Sequence, residues 1–277
     1  METLNITTGI THGGIFHADD VFSAALLKIL SPGITFQRII NVPAGLKNDT
    51  IVFDIGFGAF DHHQKNAKLR ENGVKYAAFG LLWEAHGTRL VSKSSAELFD
   101  QSFVQPLDLA DNGGRNDALS SAVSSFVPAW DASDQDMDAA FLLAVDFAEE
   151  ILRRQMKNLH AQERAERLVM EAFFQSDGDV VVLPQMAPWE KVLVPTTAKF
   201  VVSPSLRGGY EAKAVSKSIG SREAKMLFPA KWAFVSKEQL AKIAPGIIFC
   251  HTDRFFIAGT TKEEVVSACK AAVLKGQ

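Results

Sequence analysis

Between residues 6 and 112, short apolar runs alternate with stretches of helical periodicity, and that alternation restricts the fold more than any other feature of the chain. Residues 6–12 read as a first strand, with HGG as its turn. DDVFSAALLKIL (19–30) has helical spacing, acids in its first turn and Ser31-Pro32-Gly33 as its stop. ITFQRII (34–40) and TIVFD (50–54) read as a second and third strand. KYAAFGLLWEAHG (75–87) predicts a second helix ending at Gly87, and a third runs from about Ser94 to Asn112. Strands separated by helices predict an α/β fold with a doubly wound, mainly parallel sheet.

A charge-laced helical stretch follows from about Met137 to Phe174, and its later half reads as a connector. Beyond it DVVVLP, KVLVP, KFVVSPS and YEAKAVSK are β-rich, with helices expected near 236–244 and 261–275. This second region predicts a smaller α+β domain. A chain of 277 residues suits such a division, with residues 1–160 as one domain and 161–277 as connector and second domain.

A hydrophobic fraction of 47% supplies a large core and leaves no part compositionally forced into disorder. The net charge of −3 argues against a protein held to nucleic acid by bulk electrostatics, although it leaves room for a local basic groove. Cys250 and Cys269 are too few for a disulfide framework or a cysteine zinc site. The N-terminal METLNITTGITHGG has neither a basic flank nor an apolar signal core, and no apolar run approaches a bilayer span. The expectation is a cytoplasmic protein without a membrane partner. A homodimer is compatible with the sequence but not specified by it.

The chemistry concentrates at the strand ends. The first strand runs into THGGIFHADD, bearing His12, His17, Asp19 and Asp20, while the third ends in Asp54, with Asp61, His62 and His63 shortly after. In a parallel sheet the strand C-termini share one edge, where ligands bind. Carboxylates mixed with imidazoles, without thiolates, suit Mn²⁺ or a Mg²⁺/Mn²⁺ pair better than structural zinc. A dinuclear site needs a bridging carboxylate, and Asp54 at a strand end is the natural one. Neighbouring side chains in extended backbone point apart, so His62 and His63 take different tasks. Asp19 or Asp20 could instead cap the helix that begins there, and Asp20 is read as a dipole partner. In PLDLADNGG (106–114), Asp108 and Asp111 share a helical face. Asp111, nearer the helix end, is favoured to complete the second metal's shell, with Asp108 as the alternative.

THGGIFHADD, VFDIG, FDHHQ and LADNGG resemble the four metal-binding motifs of the DHH phosphoesterase superfamily. VLPQMAPWEK, GGYEAKAVSKSIGSREAKMLFPAKW and FCHTDRFFIAGTT narrow the resemblance to the MYG1 (UPF0160) family, so it spans nearly the whole chain. The resemblance implies a two-domain phosphoesterase using two divalent ions, Mn²⁺ ahead of Mg²⁺, and 3′–5′ exonuclease action on RNA. It implies that His12, His17 and Asp54 hold one ion and that Asp19, Asp54, His62 and Asp111 hold the other. His63 would then contact the scissile phosphate, and Asp61 would orient an imidazole from behind. Two departures stand out. His17 occupies a position where many superfamily members carry Asp, and Gly208-Gly209-Tyr210 stands where the nanoRNases have Gly-Gly-Gly-His.

In the second domain Arg207 beside Gly208 and Gly209 offers a guanidinium next to backbone that can approach a phosphate closely. Arg222, His251 and Arg254 are further substrate-binding candidates, and the family resemblance favours Arg222 and His251. Tyr210 at a strand start reads as packing, with base stacking as the alternative. Trp189 and Trp232 are assigned to the core. The leading function is a nuclease on short single-stranded RNA, possible also on DNA. Hydrolysis of a small phosphorylated metabolite or dinucleotide is the second reading. A non-catalytic protein that binds nucleic acid or a partner is the third, and an intact ligand set speaks against it, because buried charges without a metal are costly.

Overall fold

The computed structural model describes residues 3–113, 117–132 and 136–275. Its contacts divide the chain into two units, one running to His160 and the other from Ala161. The first holds a parallel sheet of three strands, β1 (Thr8–His12), β2 (Thr35–Ile39) and β3 (Thr50–Val52), in the order β2-β1-β3. Helix α1 (Ala18–Leu30) connects β1 to β2, and every residue in it is buried except Lys28. Lys28 reaches Asp146 and Glu149 on the long helix described below.

Further along lie α2 (Ala78–His86), α3 (Lys93–Phe99), α4 (Gln105–Asp111), α5 (Ala118–Ser124) and α6 (Met137–Phe174). The third helix expected from Ser94 to Asn112 is interrupted by a π-turn over Asp100–Val104. Pro106 lies in the first turn of α4. It has no N–H to donate and its ring crowds the preceding turn, so the helix admits an extra residue per turn there. Phe99 and Phe103 stack at 4.7 Å across that turn and pack with Phe22 and Phe79 in the core.

The third strand, expected to reach Asp54, stops at Val52. Phe53 pairs instead with Phe60, and Asp54 turns left-handed at φ 55°, its N–H donating to the Phe60 carbonyl. Past the bend the Asp54 carboxylate faces the His12 and His62 imidazoles.

The second unit comprises the end of α6, β4 (Val180–Val182), α7 (Glu190–Leu193), β5 (Phe200–Pro204), β6 (Tyr210–Ala214), α8 (Lys237–Ile243), β7 (Ile247–Cys250), β8 (Phe256–Gly259) and α9 (Lys262–Lys275). Its sheet runs β4-β5-β6-β8-β7, with β4 and β5 parallel and the remaining pairs antiparallel. Strand alternation gives it two apolar faces. Val180, Phe200, Val202 and Ile257 pack with Val265, Cys269 and Val273 of α9, whereas Val181 and Val201 pack with Val169 of α6 and Leu193 of α7. Trp232 is buried in the first of these clusters and Trp189 is half-buried against the second. Cys250 and Cys269 are both free. The class is therefore mixed α/β, with one parallel and one mixed sheet. Among the described residues no helix is long and apolar enough to cross a membrane.

Candidate metal centre

Four elements of the first unit converge on one edge of the parallel sheet. His12 ends β1, Asp19 and Asp20 open α1, Asp54 follows β3, and Asp111 ends α4. His62 comes from the loop beyond Asp54. Its Nε2 lies 3.2 Å from Asp54 Oδ1, 3.3 Å from Asp111 Oδ2 and 3.8 Å from Asp19 Oδ2. On the other side of Asp54, His12 Nε2 lies 3.3 Å from Asp54 Oδ2 and 3.4 Å from Asp20 Oδ2. Asp54 thus turns one oxygen to each of two His/Asp groups. The cavity over them measures ≈ 820 Å³, and His17, His63, Ile15, Ile40 and Phe57 also line it.

These residues fit a pair of cations on the chemistry of their donors. His12 Nδ1 donates to the Gly13 carbonyl at 3.0 Å, which leaves the lone pair of the neutral ring's Nε2 facing two carboxylates. Asp20 Oδ2 and Asp54 Oδ1 are buried without a hydrogen bond, and buried acceptors rarely stay unpaired. Asp54 Oδ1 sits close to His62 but without hydrogen-bond geometry. The sets His12–Asp20–Asp54, Asp19–His62–Asp111 and Asp54–His62–His63 each bring their ligand atoms within 4.8 Å of one another.

The electrostatics without a cation are those of crowded acids. Burial pushes the Asp19 carboxyl far up, helped by Asp54 and Asp111. Burial likewise raises Asp20 to about 7, against the pull of His12, and raises Asp111. Contact with Asp54 lifts the His12 imidazole to about 9 against the cost of its burial. For Asp54, burial is outweighed by His12 and His62, which hold it at about 2. Crowding of these buried groups without a countercharge raises their affinity for protons.

Asp19 also supports a neighbouring helix. Its oxygens accept the Ala78 and Phe79 N–H groups at 2.9 and 2.7 Å, so it caps α2 across the fold in place of a local cap. Asp108 Oδ1 accepts the next N–H, that of Gly80, at 3.1 Å. The other oxygen of Asp108 pairs with Arg70 at 2.7 Å, and Arg70 also binds Asp100 and covers the Tyr76 ring. Asp108 is thereby committed to Arg70 and α2, and it joins none of the three ligand sets, whereas Asp111 does.

The catalytic candidates are linked. Asp61 Oδ1 accepts from the His63 N–H at 3.0 Å and lies 2.8 Å from its Nδ1, while Oδ2 accepts the Phe57 N–H at 2.6 Å. Asp61 is buried and His63 is exposed on the cavity wall.

His17 and Asp20 stand differently toward the ligand sets. The His17 ring lies 6.0 Å from that of His12 and lines the cavity, but it belongs to none of the ligand sets. Asp20, read from sequence as a dipole partner, does close the start of α1, its Oδ1 accepting the His17 N–H at 2.8 Å, and its other oxygen stands 3.4 Å from His12 Nε2. The available signal was α1 itself, which is apolar around nearly its whole circumference, so two successive acids in its first turn must both be buried.

In the second unit the candidate substrate residues fall at opposite ends of the sheet's strands. Arg207, Gly208 and Gly209 form the turn between Pro204 and Tyr210. His251 and Arg254 lie in the β7–β8 turn, at the far end of β6, and Arg222 lies in the loop after β6. Arg254 is left-handed, and its backbone closes that turn with His251 and Phe228. At the Arg207 end is a cavity of ≈ 610 Å³ lined by Arg164 and Arg167 of α6, Tyr210 and Lys262, with Glu171 opposing them. Among the described residues no carboxylate pairs with Arg164 or Arg167. Sequence reasoning gave neither arginine a role, because both lie in the charge-laced connector helix. Gly114, part of the expected helix stop, lies outside the described residues.

Comparison with known proteins adds kinship to this geometry. The MYG1 exonuclease of Homo sapiens is 29% identical over 319 residues, covering 95% of this chain and 85% of that protein. The MYG1 protein C694.04c of Schizosaccharomyces pombe is 23% identical over 321 residues, covering 97% and 98%. The MYG1 protein YER156C of Saccharomyces cerevisiae is 25% identical over 327 residues, covering 95% and 94%. No solved structure matches the chain significantly. The family model MYG1_exonuc, an uncharacterised protein family (UPF0160), matches residues 8–273, and the chain belongs to that family.

Proposed function

We propose that this protein is a two-metal phosphodiester hydrolase of the DHH type that removes nucleotides from the 3′ end of short single-stranded RNA. In this reading residues 1–160 form the catalytic domain and residues 161–277 grip the substrate. The observation that carries it is Asp54, whose two oxygens face two separate His/Asp groups at the mouth of one cavity. His12, Asp20 and Asp54 would hold one ion, and Asp19, His62, Asp111 and the other Asp54 oxygen the second. Imidazoles among the ligands favour Mn²⁺ over Mg²⁺. Cations held there would supply charge neutralisation at the phosphate and would lower the pKa of water toward neutrality.

The chain's own groups do the rest. Asp61 holds His63 Nδ1, which leaves Nε2 as the ring's free nitrogen on the cavity wall. As water oxygen bonds to phosphorus and the P–O3′ bond breaks, His63 is placed to deliver a proton to the departing oxygen. Asp19 and Asp108 accept the first N–H groups of α2, and those bonds anchor Asp19 where it stands. The name exonuclease carried by the human relative supports nucleic acid as the substrate class. Polarity and the preference for RNA follow from the family resemblance. Arg164, Arg167, Lys262 and Arg207 are the basic groups offered to the backbone phosphates.

The test uses purified protein with Mn²⁺ on 5′-labelled RNA and DNA oligonucleotides of increasing length. A ladder of shortening products, absent with EDTA and with Asp54→Asn, is the expected result. Bound metal without cleavage of any oligomer would redirect the reading to small phosphorylated metabolites.

A further inference from the structure

Phe57 combines two features that are unfavourable to a folded chain unless something uses them. Its backbone is left-handed at φ 57°, a conformation that a bulky L-residue adopts at a cost, between Gly56 and Gly58. The residue is 71% exposed, yet it lines the same cavity as His12, Asp54, His62 and His63. The conformation is enforced by Asp61, whose Oδ2 accepts the Phe57 N–H while its Oδ1 holds His63. Gly56 fixes the loop from the other side, because a Cβ there would come within 2.8 Å of Val42. One carboxylate therefore sets the positions of an imidazole and an aromatic ring on one wall. Ile15 and Ile40, 60% and 75% exposed, also line the cavity. The cavity pairs a cluster of buried acids and imidazoles with an apolar, aromatic-bearing lip. A ligand that matches both parts carries a phosphate and a flat, weakly polar ring.

We infer that Phe57, with Ile15 and Ile40, forms a nucleobase subsite, and that the base stacks on the Phe57 ring while its phosphate lies over the Asp54 centre. This rests on the phosphodiesterase reading and deepens it. The enzyme gains from the base as well as from the backbone, so a sugar phosphate lacking a base is a poorer ligand. Stacking on an aromatic ring tolerates every base, so the subsite raises affinity for nucleotides without selecting a sequence.

The test compares adenosine 5′-monophosphate with ribose 5-phosphate, by calorimetry with Mn²⁺ present, on the whole chain and on two variants. Phe57→Gly removes the ring and relieves the left-handed strain, so loss of folding cannot explain its effect. Phe234→Gly is the control, since Phe234 is also left-handed and 87% exposed but belongs to the second unit. The parent protein should bind the nucleotide about tenfold more tightly than the sugar phosphate, the scale of one stacked base. Phe57→Gly should erase that difference and Phe234→Gly should keep it. Equal affinities in the parent, no binding of either ligand, or discrimination that survives Phe57→Gly would each overturn the inference. Phe57-dependent discrimination without oligonucleotide cleavage would keep the subsite and reject the exonuclease reading.

Discussion

The two sheets handle charge in opposite ways. In the first unit, acids at the strand and helix ends are buried, with Asp19, Asp20 and Asp108 at 2%, 0% and 0% exposure. In the second unit the sheet interior is apolar, and Arg164, Arg167, Arg207 and Lys262 stand exposed at one end. Buried carboxylates are costly unless paired, so the first unit is strained toward whatever neutralises them. Exposed guanidiniums cost little and add little stability. The first unit should therefore be brittle and metal-dependent, and the second tolerant and salt-sensitive.

The largest effect that could break this contrast is steric. A Cβ at Gly80 would lie 1.9 Å from Asp108 Oδ2 and 2.7 Å from Arg70 Nη2. Gly80→Ala is expected to disrupt a buried ion pair and cost about 3–5 kcal/mol in denaturant unfolding. Gly208→Ala, left-handed but in open space, should cost only about 1–3 kcal/mol. Comparable losses at the two glycines would remove the claimed asymmetry.

Next in size is the contrast between Asp20 and His17. Asp20→Asn should weaken Mn²⁺ binding about 10–100-fold, whereas His17→Ala should change it less than Asp20→Asn does. The reverse order, measured by metal titration, would restore the ligand set implied by the family resemblance.

The pH dependence follows from groups that gain protons on folding. In metal-free protein His12 rises to about 9 and Asp20 to about 7. Both values exceed those of the unfolded chain, so the folded state binds more protons and these groups lose stabilising power as pH rises. The His12 contribution is complete below about 6.5 and fades through about 9. Metal-free protein should thus melt at lower temperature at pH 8.5 than at pH 6. Added Mn²⁺ competes with the same protons, so its stabilisation should grow over that interval. A melting temperature that rises with pH in the absence of metal would contradict the assignment. The smallest effect belongs to the second unit. Arg164→Ala with Arg167→Ala should flatten the salt dependence of single-stranded RNA binding by about 1.4 in log–log slope, about 0.7 for each phosphate left without its arginine.

Much of the first unit was legible because its chemistry sits at element ends. His12 and Asp54 follow strands that apolar runs reveal, and α1 and α6 appear in their periodicity. The place of Asp20 at the start of α1 was legible, and its Oδ1 does accept the His17 N–H, but its second oxygen facing His12 was not, because only tertiary burial brings the two together. Asp108 and Asp111 share a face by spacing, and the choice between them depends on Arg70, nearly forty residues earlier in the chain. The requirement for Gly80 has the same origin. In the second unit Arg207 and His251 read as one set, but strand direction sends them to opposite ends of the strands. Arg164 and Arg167 carry no distinguishing sequence signal, because the polar face of a long helix ordinarily meets only water.

The central claim is that Asp54 joins two cations. Counting Mn²⁺ per chain, together with electron paramagnetic resonance of the loaded protein, tests it most directly. The account predicts two ions per chain with a spin-coupled spectrum, and loss of the coupling in Asp54→Asn. A single ion, or two uncoupled ions indifferent to Asp54→Asn, would contradict it.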